Sequence, residues 1–446
     1  MGKLFGTDGI RGVANRELTP ELAFKIGRIT AWLLGRNIEN PVFLIGKDTR
    51  LSGAMLESAL TAGITSAGGE VHLLGITSSP SVAYLTRRFS AAAGIVVSAS
   101  HNPIEDNGLK IFNSSGYKLS DAVENEIEEI YFSETGQLSR PEGAGVGQVI
   151  EGADEVRQYF DFLHDLSVPL SGLKVVADCA HGAVCRIAGD LLGELGADMV
   201  MLHDSPDGTK INVRCGATDT GDLQKAVVEN NAALGLAFDG DADRLIAVDE
   251  KGNVVDGDAV MAVCALSMLQ KDTLKNNTLV TTVMSNGGLD ILAEHNRITV
   301  VRTAVGDRYV LEKMLEGGFN LGGEQSGHII FSDHATTGDG LLTAIELLKI
   351  VQEKQRPLSE LASVLERLPQ VLVNQKVGSK NGWSENPRIR EALRKVEAEL
   401  GRHGRILVRP SGTEPKIRVM IEAPLEQDKL EEYAFSLANV IAREQG

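Results

Sequence analysis

Short apolar, β-branched runs alternate along most of the chain with amphipathic stretches of helical period. Three stretches follow one order: a run, a Gly- or Ser-containing turn, a helix, then a second run. The first comprises residues 42–46, a helix over about 52–67, and 71–74; the second 173–178, about 183–195, and 198–203; the third 278–284, about 287–295, and 298–302. Spacing of this kind predicts mostly parallel strands covered by helices on both faces. After Pro369 the order changes to a run at 371–377, a polar helix near 385–400, two runs at 405–409 and 416–422, and a final helix from about 426. The pattern predicts an α/β protein: three related α/β domains with mixed, mostly parallel sheets, plus a smaller C-terminal α+β domain.

The expected boundaries are 1–150, 151–253, 254–368 and 369–446, with the Gly-rich, polar stretch 134–152 as linker. At about 150 residues per domain, 446 residues accommodate three domains, or four if one is small. The longest apolar stretch, 259–269, is too short to span a membrane and reads as a buried helix.

Charge narrows the partners. Lys and Arg number 44 against 61 Asp and Glu, a net charge of −17, which opposes broad binding to nucleic-acid phosphates or anionic lipid. An anionic ligand therefore needs a local basic site. Gly at 48 residues, with only 12 Phe, 6 Tyr and 2 Trp, suits many tight loops and not a base-stacking surface. Cys179, Cys185, Cys215 and Cys264 show no C-x-x-C spacing and read as reduced thiols. The N-terminal residues lack an apolar signal core, and Gly6 stands where a myristoylation signal wants Ser or Thr. A soluble cytoplasmic protein, without nucleic-acid or membrane partners, is the expectation; monomer and homodimer are both open.

Five loops carry candidate chemistry. Residues 96–103 read as a buried strand running into the polar turn Ser98-Ala99-Ser100-His101-Asn102-Pro103. A Ser-His pair at Ser100 and His101 is disfavoured, because consecutive side chains on extended backbone point apart, and no G-x-S-x-G elbow is present. A turn in which Ser100 and Asn102 satisfy backbone groups is the other reading. Next, Asp239-Gly240-Asp241-Ala242-Asp243-Arg244 follows an apolar run. Carboxylates at i, i+2 and i+4 repel one another and call for a hard cation such as Mg²⁺. Fully extended, Asp239 and Asp243 would lie about 13 Å apart, so the chain must curl, which Gly240 eases. An EF-hand is excluded, since Arg244 stands where that loop needs Gly, although Glu250 falls at its twelfth position.

Gly323-Glu324-Gln325-Ser326-Gly327-His328 offers acceptors and donors suited to sugar hydroxyls, or is a glycine turn with a capping Glu. In Arg409-Pro410-Ser411-Gly412-Thr413-Glu414-Pro415-Lys416-Ile417-Arg418, two Arg bracket a small-residue loop, a pattern suited to clamping phosphate. No G-x-x-x-x-G-K-[ST] loop is present. Finally, Phe5-Gly6-Thr7-Asp8-Gly9-Ile10-Arg11-Gly12 lets backbone approach an anion that Arg11 would neutralise.

Together and in this order, the five motifs resemble the α-D-phosphohexomutase superfamily from Gly6 to Arg418, most of all its branch acting on glucosamine phosphates. The resemblance implies four domains around a central cleft. It implies that Ser100 is phosphorylated, and that Asp239, Asp241 and Asp243 hold one Mg²⁺ per chain together with a phosphoserine oxygen of Ser100. Glucosamine 6-phosphate and glucosamine 1-phosphate would interconvert through a 1,6-bisphosphate, feeding UDP-N-acetylglucosamine synthesis. Arg11 and Arg244 would stabilise charge on the transferring phosphoryl group. Glu324 and Ser326 would read sugar hydroxyls, and Arg409, Ser411, Gly412, Thr413 and Arg418 would grip the non-reacting phosphate. The proton-transfer roles stay open among Lys110, His101 and His328. The alternatives are a phosphomannomutase or phosphoglucomutase acting on another hexose, and a non-catalytic phosphosugar-binding protein.

Overall fold

The computed structural model describes residues 4–133, 138, 140–411 and 415–446, and in it four sheets follow one another along the chain. The first contains β1 (Ile10–Val13), β2 (Val42–Lys47), β3 (Glu70–Ile76), β4 (Ala93–Val97), β5 (Asp106–Asn113) and β6 (Val149–Glu151). Their order is β1-β5-β4-β2-β3-β6, parallel from β4 to β6 and antiparallel where β5 joins β4 and β1. Every residue of β4 is buried, as a strand covered on both faces requires. Helices α1 (Pro20–Gly35), α2 (Gly53–Thr65), α3 (Ser79–Arg88) and α4 (Asp121–Ser133) supply that cover. Thr19 starts α1 by accepting from the Leu22 N–H, with Pro20 in the first turn.

The second sheet holds β7 (Lys174–Asp178), β8 (Asp198–Leu202), β9 (Leu234–Phe238), β10 (Leu245–Asp249) and β11 (Val254–Val255), ordered β11-β10-β9-β7-β8. With it come α5 (Val156–Leu166), α6 (Ala188–Glu194) and α7 (Gly221–Glu229). The third has β12 (Thr278–Thr282), β13 (Thr299–Thr303), β14 (Leu321–Gly323) and β15 (Ile329–Phe331), ordered β13-β12-β14-β15. Its helices are α8 (Gly257–Gln270), α9 (Gly288–Asn296), α10 (Asp307–Gly317), α11 (Gly340–Lys354) and α12 (Leu358–Ala362). The last is wholly antiparallel: β18 (Lys416–Glu422) lies between β16 (Gln370–Lys376) and β17 (Arg405–Pro410), under α13 (Pro387–Leu400) and α14 (Gln427–Gln445).

The expected α/β architecture is the one observed. Two details differ. The helix expected over 183–195 begins only at Ala188, because Ala180 and His181 both have φ of 52° and the chain turns before it can coil. The stretch expected as a plain linker ends in β6, which extends the first sheet by pairing with β3. As expected, the 259–269 stretch lies in a buried helix, α8; among the described residues no helix is long and apolar enough to cross a membrane.

One apolar core runs from Leu44, Val82 and Val96 through Tyr159 and Leu236 to Ile345 and Leu348, so the first three units share their interior. The fourth has its own core around Ile389, Val419 and Leu437. It is joined to the third through Arg405, which donates to Val283 O at 2.9 Å and to both oxygens of the fully buried Glu422 at 3.2 and 3.1 Å.

Candidate active site

Three residues beyond β4 the chain reverses at Ser100, a non-glycine residue with φ of 52°. That conformation costs about 1–3 kcal/mol and persists only where surroundings enforce it. Here Arg50 enforces it. Its guanidinium, paired with Asp48 at 2.9 Å and 2% exposed, donates to Ser100 O (3.0 Å), Asn102 O (2.8 Å), Asp106 O (2.9 Å) and Pro103 O. Asn212 donates to Ser100 O as well, at 2.8 Å. The expectation that Ser100 and His101 point apart is therefore corrected: the left-handed turn sets Ser100 Oγ 3.2 Å from His101 Nδ1. Extended backbone was the wrong premise.

Ser100 Oγ also donates to Asp239 Oδ2 at 2.5 Å, joining the loop after β4 to the loop after β9. That second loop curls as expected, but at Ala242, with φ of 55°, and not at Gly240. Gly240 serves a different need, since a Cβ there would stand 2.5 Å from Ser100 O. The Asp239, Asp241 and Asp243 carboxylates are buried, with one oxygen of each within 4.8 Å of the others. Burial, then Asp243 and Asp241, push the Asp239 carboxyl well above its ordinary range. Asp241 Oδ1 and Asp243 Oδ1 are buried with no hydrogen-bond partner among the described residues. Three crowded, partly unsatisfied carboxylates beside a hydroxyl fit a hard divalent cation.

Cations already surround these carboxylates. Lys110, 1% exposed, donates to Asp241 Oδ2 at 2.6 Å and Asp243 Oδ2 at 2.9 Å, and lies 3.4 Å from Asp8. Burial alone would lower its pKa, but Asp241, Asp243 and Asp8 outweigh it and hold the ammonium charged. Asp8 is reached through Gly9, whose φ of 75° lets the N-terminal loop pack against Leu109 O, where a Cβ would stand 2.2 Å away. Arg11 pairs with Asp8 and donates to Ala99 O and Asn102 Oδ1, both at 3.0 Å. Lys118 bridges Asp8 to Asp307, tying the first unit to the third. Burial, then Arg244 and Arg11, push the His101 imidazole down to about 4.

Four of the five motifs converge on a cavity of about 550 Å³, lined by Arg11, His101, Asp243, Arg244, Glu324 and His328 among others. A roomier groove of about 660 Å³, floored by Phe24, Ile29 and Tyr131, lies apart from them on the first unit. Glu324 faces the cavity, accepting from Gly306 N at 3.2 Å, and Ser326 Oγ donates to it at 3.4 Å. His328 is 3% exposed; neither ring nitrogen has a hydrogen-bond partner, and Nε2 is 3.6 Å from Asp307. Arg409 and Arg418 stand opposite each other across the β17–β18 ladder, away from this cavity wall. Ser411 N closes the hairpin by donating to Lys416 O at 2.8 Å. Gly412 and Thr413 lie outside the described residues.

Sequence reasoning missed Arg50, Asp8, Lys118, Asp307 and Ser79, whose hydroxyl donates to Asp241 Oδ2. Asp8 at least sat inside a motif already singled out.

Four family models match in chain order. They are phosphoglucomutase/phosphomannomutase alpha/beta/alpha domain I over residues 2–137, domain II over 157–252, domain III over 256–368, and the C-terminal domain over 372–440. A phosphoglucosamine mutase from Thermoanaerobacter sp. is 52% identical over 446 residues, covering 99% of each chain. Among solved structures, a phosphoglucomutase/phosphomannomutase family protein from Burkholderia thailandensis superposes with a TM-score of 0.80 at 24% identity, over 99% of this chain and 98% of that one. The Aspergillus fumigatus N-acetylphosphoglucosamine mutase in complex with GlcNAc-6P and magnesium does so at 0.70 and 17%, over 100% and 96%. The shared fold, the ordered domain matches and the full-length identity agree: the chain belongs to the phosphoglucomutase/phosphomannomutase family, the α-D-phosphohexomutases.

Proposed function

We propose that this chain is a phosphoserine-dependent mutase that interconverts glucosamine 6-phosphate and glucosamine 1-phosphate in the cytoplasm. The observation that carries the reading is the 2.5 Å contact between Ser100 Oγ and Asp239 in a buried carboxylate triad with two unsatisfied oxygens. The full-length relatives named phosphoglucosamine mutase support the choice of sugar. The four domains are taken as 1–150, 151–253, 254–368 and 369–446; the first contributes two of the five loops and each of the others one.

In the working form Ser100 carries a phosphoryl group. A sugar-phosphate hydroxyl attacks its phosphorus and loses its proton to a base, the P–Oγ bond breaks, and the leaving Ser100 Oγ takes up a proton. The product is glucosamine 1,6-bisphosphate and free Ser100. After the bisphosphate turns end for end, Ser100 Oγ attacks the other phosphoryl group and the isomeric monophosphate departs. Phosphoryl transfer depends on alignment and charge stabilisation, which Arg11, Lys110 and Arg244 supply. Asp239, Asp241, Asp243 and a phosphoserine oxygen would hold one Mg²⁺, which would offset negative charge on the phosphoryl oxygens. The charge states divide the proton work. Lys110, held cationic, is not a proton acceptor, whereas His101, neutral at pH 7 and beside Ser100 Oγ, can take one. His328 lines the same cavity from the other side. Glu324 and Ser326 read the sugar hydroxyls, while Arg409, Ser411, Gly412, Thr413 and Arg418 grip the distant phosphate.

The test is peptide mass spectrometry for phosphate on Ser100, together with turnover of glucosamine, glucose and mannose phosphates. The expected result is a phosphorylated Ser100 peptide and fastest turnover of the glucosamine phosphates. An unphosphorylated Ser100 in turning-over enzyme removes the mechanism, and faster turnover of glucose or mannose phosphate reassigns the sugar. Inorganic phosphate released in proportion to substrate consumed would make it a phosphatase.

A further inference from the structure

A second cluster of ligand-type side chains lies in the second unit, outside the cavity just described. β7 ends at Asp178 and its parallel neighbour β8 at Leu202, so Asp178 and His203 emerge side by side at the carboxyl ends of adjacent strands. α/β sheets present ligand-binding groups at that edge. Cys215 enters from the loop before α7. Asp178 Oδ1 is 3.1 Å from His203 Nδ1, and one donor atom from each of the three residues lies within 4.8 Å of the others. Donors bound tetrahedrally at about 2.0–2.3 Å stand roughly 3.3–3.8 Å apart, so small side-chain adjustments close such a set around one ion.

Three features point to an ion and not to a plain Asp–His pair. His203 Nδ1 is buried with no hydrogen-bond partner among the described residues, although Asp178 is near. Asp178 is locked in place by the Ala180 and Gly216 N–H groups, each donating at 2.9 Å to a different oxygen. His203 Nε2 faces Asp222 Oδ2 at 3.8 Å, the placement of an outer carboxylate that orients a metal-binding imidazole. The His203 side chain is 24% exposed, which leaves an entry path and room for a water.

We propose that Asp178, His203 and Cys215 form a second metal site that takes a borderline-soft divalent cation of the zinc class, with water as fourth ligand. One sulfur, one nitrogen and one oxygen donor select zinc or cobalt, whereas the all-carboxylate triad selects magnesium. The bound ion braces the loop in which Asn212 N donates to Ala180 O at 3.0 Å and Asn212 Nδ2 to Ser100 O at 2.8 Å.

The experiment titrates Co²⁺ into chelator-treated full-length protein in excess Mg²⁺, which keeps the carboxylate triad filled, and follows visible and thiolate-to-cobalt charge-transfer absorption. One equivalent bound, with a thiolate band and a raised Tm, is expected. Cys215→Ser should abolish that band, and His203→Gln should weaken binding by at least about tenfold. No thiolate band, or one unchanged in Cys215→Ser, overturns the proposal, as does binding lost in Asp239→Asn but kept in His203→Gln. Should Cys215→Ser fail to fold, the half-buried His203 carries the test: unchanged affinity in His203→Gln overturns the site. Because the readout is metal binding, it stands or falls independently of mutase activity.

Discussion

Under the proposed mechanism the transfer centre and the C-terminal arginine hairpin would both handle phosphate in a protein of net charge −17, and their charges are arranged in opposite ways. At the centre every cation has carboxylate company: Lys110 with Asp241 and Asp243, Arg11 with Asp8, Lys118 with Asp8 and Asp307. In the hairpin Arg409 faces Arg418 across the ladder, and among the described residues no carboxylate pairs with either. Burial, then the like charge of Arg418, lowers the Arg409 pKa. Positive charge is thus already balanced where the proposed mechanism moves phosphoryl groups, and unspent where it would hold one. On that reading the centre serves rate and the hairpin affinity.

The sharpest break of that contrast is Ser100→Ala, which removes the proposed acceptor of the phosphoryl group. Mutase activity should fall by at least about 10⁴-fold, as loss of a nucleophile does elsewhere, with Tm little changed. Substantial turnover in the variant, under conditions where wild type turns over, would end the phosphoserine mechanism. Next comes Lys110→Met. It leaves Asp241 and Asp243 buried without their ammonium, which costs about 3–5 kcal/mol of stability. Mg²⁺ should restore more stability to this variant than it adds to wild type, read as the Tm shift on metal addition. An equal shift in both would separate the metal from Asp241 and Asp243.

On the hairpin side, Arg418→Ala should raise KM for the phosphosugar about 10–100-fold, in line with the loss of one charged hydrogen bond, and leave kcat within a few-fold. Its Tm should hold, because Arg418 Nε is buried without a hydrogen-bond partner among the described residues and its like-charged neighbour gains from its removal. A kcat loss as large as the KM rise would place Arg418 in the chemistry and erase the division.

How much of this was legible in the sequence follows from where each part sits along the chain. The Asp239 to Asp243 triplet and the Ser100 loop were legible because each is contiguous and follows an apolar strand. The β-grammar likewise located β2, β3, β4, β7, β8, β12, β13, β16, β17 and β18, but not β1, β5, β6, β11, β14 or β15, which are short or lie in loops read for their chemistry. Lys118 and Asp307 were not legible, since they meet across 189 positions and neither stands in a run that announces chemistry. Arg50 reaches 50 positions to hold Ser100 O, and only the folded chain shows that a plain strand-end arginine enforces the turn. The direction of the Ser100 side chain was misread for the same reason: a positive φ at Ser comes from what surrounds it and not from the residue itself. The roles of Gly240 and Ala242 were exchanged because local flexibility was weighed and close approach of a second loop was not.

Buried carboxylates without a cation extend the comparison to stability and give the smallest of these effects. Asp339 caps α11 by accepting from Leu342 N, and Tyr159 Oη donates to both its oxygens at 2.9 Å, linking the second and third units. With no ammonium or guanidinium beside it, burial pushes its carboxyl up to about 6, against an ordinary 3.8. Asp307, beside Lys118, shifts the other way, because Lys118 and His328 outweigh burial and lower it. The signs follow from proton linkage. A raised carboxyl binds its proton more tightly in the folded state, so its contribution is full below about pH 4 and is lost as pH rises through about 6. Between pH 5 and 7 that loss is about 1 kcal/mol. Asn at 339 keeps the cap and a Tyr159 partner but cannot titrate, so the stability of wild type relative to Asp339→Asn should fall by that amount from pH 5 to 7 in urea unfolding. For Asp307→Asn the titration runs the other way: wild type gains on the variant as pH climbs from acid toward the ordinary carboxylate range, and the difference is flat above it. If both variants gave the same slope between pH 5 and 7, the cation beside Asp307 would not be what separates the two carboxylates.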